Sequence, residues 1–244
     1  MGTGMSVNLA EVWLVYGWLA RRIAAWMPTH CLVCGEAGMA GQDACAACLA
    51  AMPWLQAACP RCALPLGPAE QGTTACGGCQ RAPPPLEATT AAFLYGWPVD
   101  GLLRRFKFHQ DLAAGRLLAQ LLAERCRQAP RPQALVPLSL HVARLRQRGY
   151  DQALELARPL GRALDLPCVP ALVRIRATRP QSELGSGARA RNVRGAFGVQ
   201  AALPDHVALV DDVMTTGATL HAAARALRKA GVQRVDAWVC ARVP

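Results

Sequence analysis

VALVDDVMTTGATL, residues 207–220, decides the fold. Residues 207–210 form an unbroken apolar run, as in a central parallel strand covered on both faces. That strand delivers Asp211 and Asp212 to its C-terminal end, the edge of an α/β sheet at which ligands bind. A short loop over 213–219 follows. A helix over 217–230 comes next, with Leu220, Ala224 and Leu227 inward and Gly231 as its stop. Each part has a chemical reason. Paired carboxylates accept hydrogen bonds from adjacent ribose hydroxyls. Thr215, Thr216 and Thr219 offer hydroxyls, and successive backbone N–H groups at a helix N-terminus cradle a phosphate dianion. Gly217 supplies a backbone conformation and a close approach that a Cβ would block. Taken singly, the acidic pair reads as a solvated turn and Thr-Thr-Gly as a helix cap. Taken together they read as a phosphate loop with a ribose-binding acidic pair.

Outward from this stretch, the chain from residue 89 alternates strand-like and helix-like segments, the order of an α/β domain with a parallel sheet. Residues 92–95, 134–138, 172–175 and 235–241 read as strands. Residues 111–127 read as a helix with Leu118, Leu121 and Leu122 on one face. Residues 150–164 read as another, whose stripe is Tyr150, Leu154, Ala157, Leu160 and Leu164, with a kink or break predicted at Pro159. Residues 174–194 are arginine-rich and without period, and a loop of that length is functional or mobile.

Before residue 89 the chemistry changes. Eight of the 11 cysteines fall in four CxxC turns, Cys31/Cys34, Cys45/Cys48, Cys59/Cys62 and Cys76/Cys79. One such turn presents two thiolates to a metal, and two turns complete a tetrahedral site. Pairing in chain order groups Cys31, Cys34, Cys45 and Cys48 around one ion and Cys59, Cys62, Cys76 and Cys79 around another; interleaved pairing stays open. Four turns in succession argue against a redox disulfide. One or two zinc ions are expected, structural because four thiolates leave no open position, with iron–sulfur ligation the minor alternative. A region so poor in core residues needs metal to fold. Cys126, Cys168 and Cys240 read as small buried hydrophobes. Prolines 83–85 mark a linker. The expected organisation is an amphipathic N-terminal helix (1–28), a double zinc ribbon (29–88) and an α/β domain (89–244).

Composition sets the outer bounds. The 244 residues are 52% apolar and 18% charged, which excludes a disordered chain and suffices for a core. A net charge of +11 favours an anionic partner, nucleic acid or a phosphorylated ligand, although a soluble arginine-dominated surface accounts for it equally well. The apolar run 12–20 is too short to span a bilayer and lacks the flanks of a secretory signal. Trp13, Leu14, Gly17, Trp18, Arg21 and Ala25 suit an amphipathic helix packed on its own protein. No membrane insertion and a reducing, cytoplasmic setting are expected, where clustered thiols hold metal rather than disulfides.

The 207–220 stretch resembles the phosphoribosyl-diphosphate signature of type I phosphoribosyltransferases at every position. The resemblance implies that fold, a twisted, mainly parallel sheet flanked by helices, here behind a small four-cysteine zinc-ribbon domain. It implies that Asp211 and Asp212 are the catalytic acidic pair at the ribose hydroxyls. It places Thr215, Thr216, Gly217, Ala218 and Thr219 at the 5′-phosphate, with Val213 and Met214 in the same binding stretch. With the double ribbon ahead of it, the chain from Cys31 resembles the ComF family (the ComFC/GntX group). Tyr95, Pro98 and Lys107-Phe108 resemble the start of that family's domain. Val136-Pro137-Leu138-Ser139-Leu140-His141, Leu145, Arg148-Gly149-Tyr150 and Gln152 resemble its diphosphate-loop region. Gln181, Leu184, Arg189, Arg191-Asn192 and Ala196-Phe197 resemble its mobile loop. By that resemblance Val136, Pro137 and Leu138 bind phosphoribosyl diphosphate, and Lys107, Arg148, Arg189 and Arg191 are diphosphate or mobile-loop contacts. The chain departs from the family at Leu138-Ser139, at Val142 and Ala143, where Pro and Arg are common, and at Asp151, where Asn is usual.

Three functions follow. The first is an enzyme that transfers phosphoribosyl to an acceptor the sequence does not name, with Mg²⁺ and cationic groups stabilising the departing diphosphate. The second, implied by the ComF resemblance, is a protein of natural competence, DNA uptake and transformation that meets single-stranded DNA or DNA-uptake proteins. The third is a zinc-ribbon adaptor with an inert pocket. The residues speak more directly for ligand binding than for turnover.

Overall fold

The computed structural model describes residues 29–67, 75–140, 145–146, 149–176, 192–193 and 195–244. The described residues up to Ala51 form one compact unit, and Met52–Pro244 form a second. The N-terminal helix expected over 1–28 lies outside the described residues.

The first unit is built on one tight turn. Cys31 N donates to Glu36 O at 2.7 Å and Gly35 N returns to Cys31 O at 2.8 Å. Gly35 takes φ +83°, the left-handed region a Cβ disfavours. Helix α1 (Ala46–Ala50) starts at Cys45, whose Sγ accepts from Cys48 N at 3.4 Å. The second unit repeats that turn: Cys59 N donates to Leu64 O and Ala63 N to Cys59 O, each at 2.8 Å. Its short helix α2 (Gly77–Arg81) carries Cys79.

The rest of the second unit is α/β. Strands β1 (Thr89–Leu94), β2 (Ala134–Pro137), β5 (His206–Met214) and β6 (Arg234–Arg242) form a wholly parallel sheet in the order β1-β6-β5-β2. Leu209 lies opposite Val136 on one side and Ala237 on the other. Residues 207–210 are fully buried, which is why the central strand reads as a continuous apolar run. Helices α3 (Val99–Phe108), α4 (Leu112–Cys126), α5 (Gln152–Leu164) and α6 (Ala218–Lys229) complete the layers, and β3 (Leu172–Arg174) with β4 (Phe197–Val199) forms a small antiparallel pair. Asp111 and Asp151 cap α4 and α5 by accepting from Ala114 N at 3.0 Å and Leu154 N at 3.2 Å.

Three differences from the sequence pattern bear on the site and its supports. Strand β5 runs on through the acidic pair to Met214 instead of ending at Val210, because β6 accompanies it as far as Arg242. The loop therefore shrinks to residues 215–217. Helix α5 continues past Pro159 to Leu164, held by the buried face Leu156, Ala157, Leu160 and Leu164, although one backbone bond is lost there. Helix α3 was not anticipated, yet its buried residues Val99, Leu102, Leu103 and Phe106 keep a helical spacing. Among the described residues, no helix is long and apolar enough to cross a membrane.

Candidate functional site

Because the four strands are parallel, their C-terminal ends share one edge, and a cleft of about 460 Å³ opens there. It is lined by residues 211–215 from the end of β5, 217–220 from the start of α6, and 138–140 after β2. Leu103, Arg104, Lys107 and Phe108 of α3 join them, with Tyr95, Gln152, Ala153, Arg174 and Val243.

Backbone amides fix the acidic pair. Asp211 Oδ1 accepts from Asp212 N at 2.8 Å, and Asp212 Oδ1 accepts from Val213 N at 2.9 Å. Lys107 Nζ lies 2.5 Å from Asp212 Oδ2, so α3 supplies the countercharge for one carboxylate. Burial, and then the neighbouring Asp212 charge, push the Asp211 carboxyl well above the usual carboxylate range, against the pull of Lys107. Among the described residues, Lys107 pairs with this acidic pair, whose carboxyl groups line the cleft. Such an all-oxygen set suits a hydroxyl-bearing ligand and a hard divalent cation such as Mg²⁺.

The loop is equally specific. Gly217 takes φ +74°, ψ 0° and caps α6. A Cβ there would lie 2.5 Å from Met214 Cε and 2.8 Å from His221 Nε2. Ala218 N is 3.4 Å from Thr216 Oγ1. Burial, and next the charges of Arg225 and Arg242, lower the His221 pKa to about 4, so the ring behind the loop is neutral at pH 7.

The structure brings together Lys107, Leu138, Asp211, Asp212, Val213, Met214, Thr215, Gly217, Ala218 and Thr219. Thr216 is exposed beside them. Val136 and Pro137 are buried within β2, and the cleft begins one residue later, at Leu138. Arg148, Arg189 and Arg191, with His141, Val142, Ala143, Gln181 and Leu184, lie outside the described residues. Asp151 has a structural use: besides capping α5, its Oδ2 accepts from Leu140 N at 3.0 Å, holding the segment that follows β2.

Sequence reasoning overlooked Arg104, Arg174 and Arg242. The first two line the cleft. Arg242, at the end of an apolar strand, is only 5% exposed.

The cysteines pair in chain order. The ligand atoms of Cys31, Cys34, Cys45 and Cys48 lie within 4.8 Å of one another, as do those of Cys59, Cys62, Cys76 and Cys79, and all four residues of the second set are buried. None of the cysteines is in a disulfide. Burial opposes ionisation of Cys31, yet backbone N–H groups of Cys34, Cys45 and Val33 outweigh it and bring the thiol to about 6. Cys59 falls to about 7 against burial in the same way, through N–H groups of Cys76, Cys62 and Arg61. Two compact four-thiol sets with backbone donors aimed at them fit two structural zinc ions.

Comparison with known proteins agrees with this arrangement. A double zinc ribbon domain matches residues 23–81, and a phosphoribosyl transferase domain matches residues 151–244. Competence protein F of Haemophilus influenzae is 36% identical over 178 residues, covering 68% of this chain and 78% of that protein. The chain belongs to the competence protein F family. The family extends to proteins of other names. The DNA utilization protein YhgH of Salmonella typhi is 33% identical over 208 residues, and that of Escherichia coli K12 is 31% identical over 206. Each alignment covers 81% of this chain and 89% of the relative. Homology thus links the chain to competence and DNA utilization, and its C-terminal part to phosphoribosyltransferases.

Proposed function

We propose that this chain binds phosphoribosyl diphosphate together with Mg²⁺ in the cleft and transfers phosphoribosyl to a further acceptor as part of DNA uptake in the cytoplasm. The observation that supports this most is one arrangement: Asp211 and Asp212 end a buried parallel strand beside a loop whose left-handed Gly217 opens α6. In this reading the carboxylates receive the ribose 2′- and 3′-hydroxyls and the cation held with them. Residues 215–219 receive the 5′-phosphate through hydroxyls and N–H groups at the helix N-terminus. Mg²⁺, when bound, supplies positive charge to the departing diphosphate. Lys107, paired with Asp212, adds a cation close to the leaving group. Burial and the Asp212 charge raise the Asp211 pKa, and a divalent cation held with the ligand would draw it back down.

Calorimetric titration with phosphoribosyl diphosphate, with and without Mg²⁺, tests the binding. Saturable binding that needs Mg²⁺ is expected, with ribose 5-phosphate weaker because the diphosphate contacts are missing. Absence of binding at millimolar ligand would refute the reading.

A second reading is favoured by the net charge of +11 and by the similarity to competence protein F and DNA utilization protein YhgH. In it the same fold contacts single-stranded DNA or DNA-uptake proteins and uses the cleft as a ligand sensor without turnover. Single-stranded DNA affinity should then fall steeply with salt, and diphosphate release should be absent with any acceptor.

A further inference from the structure

Arg242 joins two parts of the second unit, the Cys62 turn and the 215–217 loop. Its guanidinium is buried at the C-terminal end of β6. Nε donates to the carbonyl of Cys62 at 2.8 Å. Nη1 donates to the carbonyls of Met214 at 3.2 Å, Thr215 at 2.5 Å and Val243. One side of the fork therefore holds the turn of the buried four-thiol site, and the other holds Met214, the last residue of β5, and Thr215, the first of the phosphate loop. The backbone of the same residue receives Tyr95 N at 2.9 Å, at the end of β1.

A buried cation is costly unless an opposite charge stands near it. Here the buried guanidinium lies against the turn that carries Cys62. A zinc ion held by four thiolates leaves a surplus of negative charge at that place. The hydrogen bonds of one side chain thus run from the metal site to the loop.

We propose that Arg242 is a positioning residue, the strut through which zinc in the Cys59/Cys62/Cys76/Cys79 site fixes the 215–217 loop for its phosphorylated ligand. The ligand part rests on the phosphate-loop reading above. Only a planar fork serves both sides at once; a lysine ammonium is a point charge that satisfies one. Coupling of this kind is reciprocal, so a ligand that orders the loop tightens the hold on zinc.

Hydrogen–deuterium exchange of the peptide 213–219 in the zinc-loaded full chain reads the strut without any ligand. Exchange is expected to quicken in Arg242→Met, less in Arg242→Lys, and also in Cys79→Ser. The double variant should be no faster than the faster single, because both cut one connection. Unchanged exchange in Arg242→Met, or effects that add in the double variant, would overturn the proposal. Should Cys79→Ser fail to fold, cadmium-113 in place of zinc supplies the test. Phosphoribosyl diphosphate with Mg²⁺ should move the resonance of the second site, the one that survives Cys34→Ser, and should not move it in Arg242→Met. A second-site resonance that stays still while ligand binds counts against the strut. Affinity for phosphoribosyl diphosphate should fall about tenfold in Arg242→Met. If the wild-type chain binds none of it while the exchange pattern holds, the ligand reading fails and the strut stands.

Discussion

Replacing Gly217 by alanine strikes the loop in two ways, and both can be given a size. The residue sits at φ +74°, where an L-side chain costs roughly 1–2 kcal/mol. The new Cβ would also lie 2.5 Å from Met214 Cε, 2.8 Å from His221 Nε2 and 3.0 Å from His221 Cε1. The methionine tip can swing away at little cost. The imidazole belongs to the first turns of α6 and its Nε2 is enclosed, so the helix start must shift with it. Overpacking of that kind costs about 1–3 kcal/mol. The combined loss is roughly 3 kcal/mol. With a urea slope of ~2–3 kcal/mol per molar for a unit of this size, the midpoint should fall by about 1 M at unchanged slope. Urea unfolding followed by tryptophan fluorescence measures it, with Trp238 buried in β6 as a reporter. Gly101→Ala is the control: its Cβ meets nothing within 4 Å, and helix propensity predicts a gain of up to about 1 kcal/mol. Phosphoribosyl diphosphate binding should weaken in Gly217→Ala well beyond tenfold, because the N–H groups of the loop lose their aim. A Gly217→Ala protein with the wild-type midpoint and wild-type affinity would refute the loop argument.

The other predictions concern charge, packing and metal. Asp211→Asn should abolish ligand binding while raising stability at pH 7 by about 1 kcal/mol. The raised Asp211 pKa makes its charge a cost at high pH, so the gain in thermal midpoint should shrink as pH falls through that pKa. His221 acts with the opposite sign. Its pKa drops from 6.5 to about 4, so the stability it contributes is complete above 6.5 and is lost as pH falls toward 4. The full drop corresponds to roughly 3 kcal/mol, and solvent at the ring reduces it to about 1–2 kcal/mol. His221→Gln should flatten that limb of a stability-against-pH curve measured between pH 7 and pH 5. Gly161→Ala should destabilise by about 1–2 kcal/mol despite its better helix propensity, because its Cβ would stand 2.7 Å from the backbone oxygen of Leu166; thermal melting checks it. Elemental analysis of the purified chain should find two zinc ions, and a value of one would mean that one four-cysteine set does not load.

The parts legible in the sequence were those where one physical rule dominates. The 207–210 run could only be a covered parallel strand, and the four CxxC turns left little but metal ligation. Pairing order was settled by the fold, since spacing alone cannot say which thiols meet. Where β5 ends was misread because a carboxylate pair suggests a turn, whereas β6 pairs with the backbone regardless of the side chains. Helix α3 carries a readable stripe, but the segment is only ten residues long and includes Gly101, so its helical period is weak. Arg242 was invisible: at the end of an apolar strand it looks like a solvated terminus, and its role depends on carbonyls 180 and 28 residues away in sequence.

The most direct test of the central claim is calorimetric titration of phosphoribosyl diphosphate with Mg²⁺ into the zinc-loaded chain and into its Asp211→Ala/Asp212→Ala variant. The account predicts saturable binding to the first and none to a variant that still melts cooperatively. Equal binding by both proteins would contradict it.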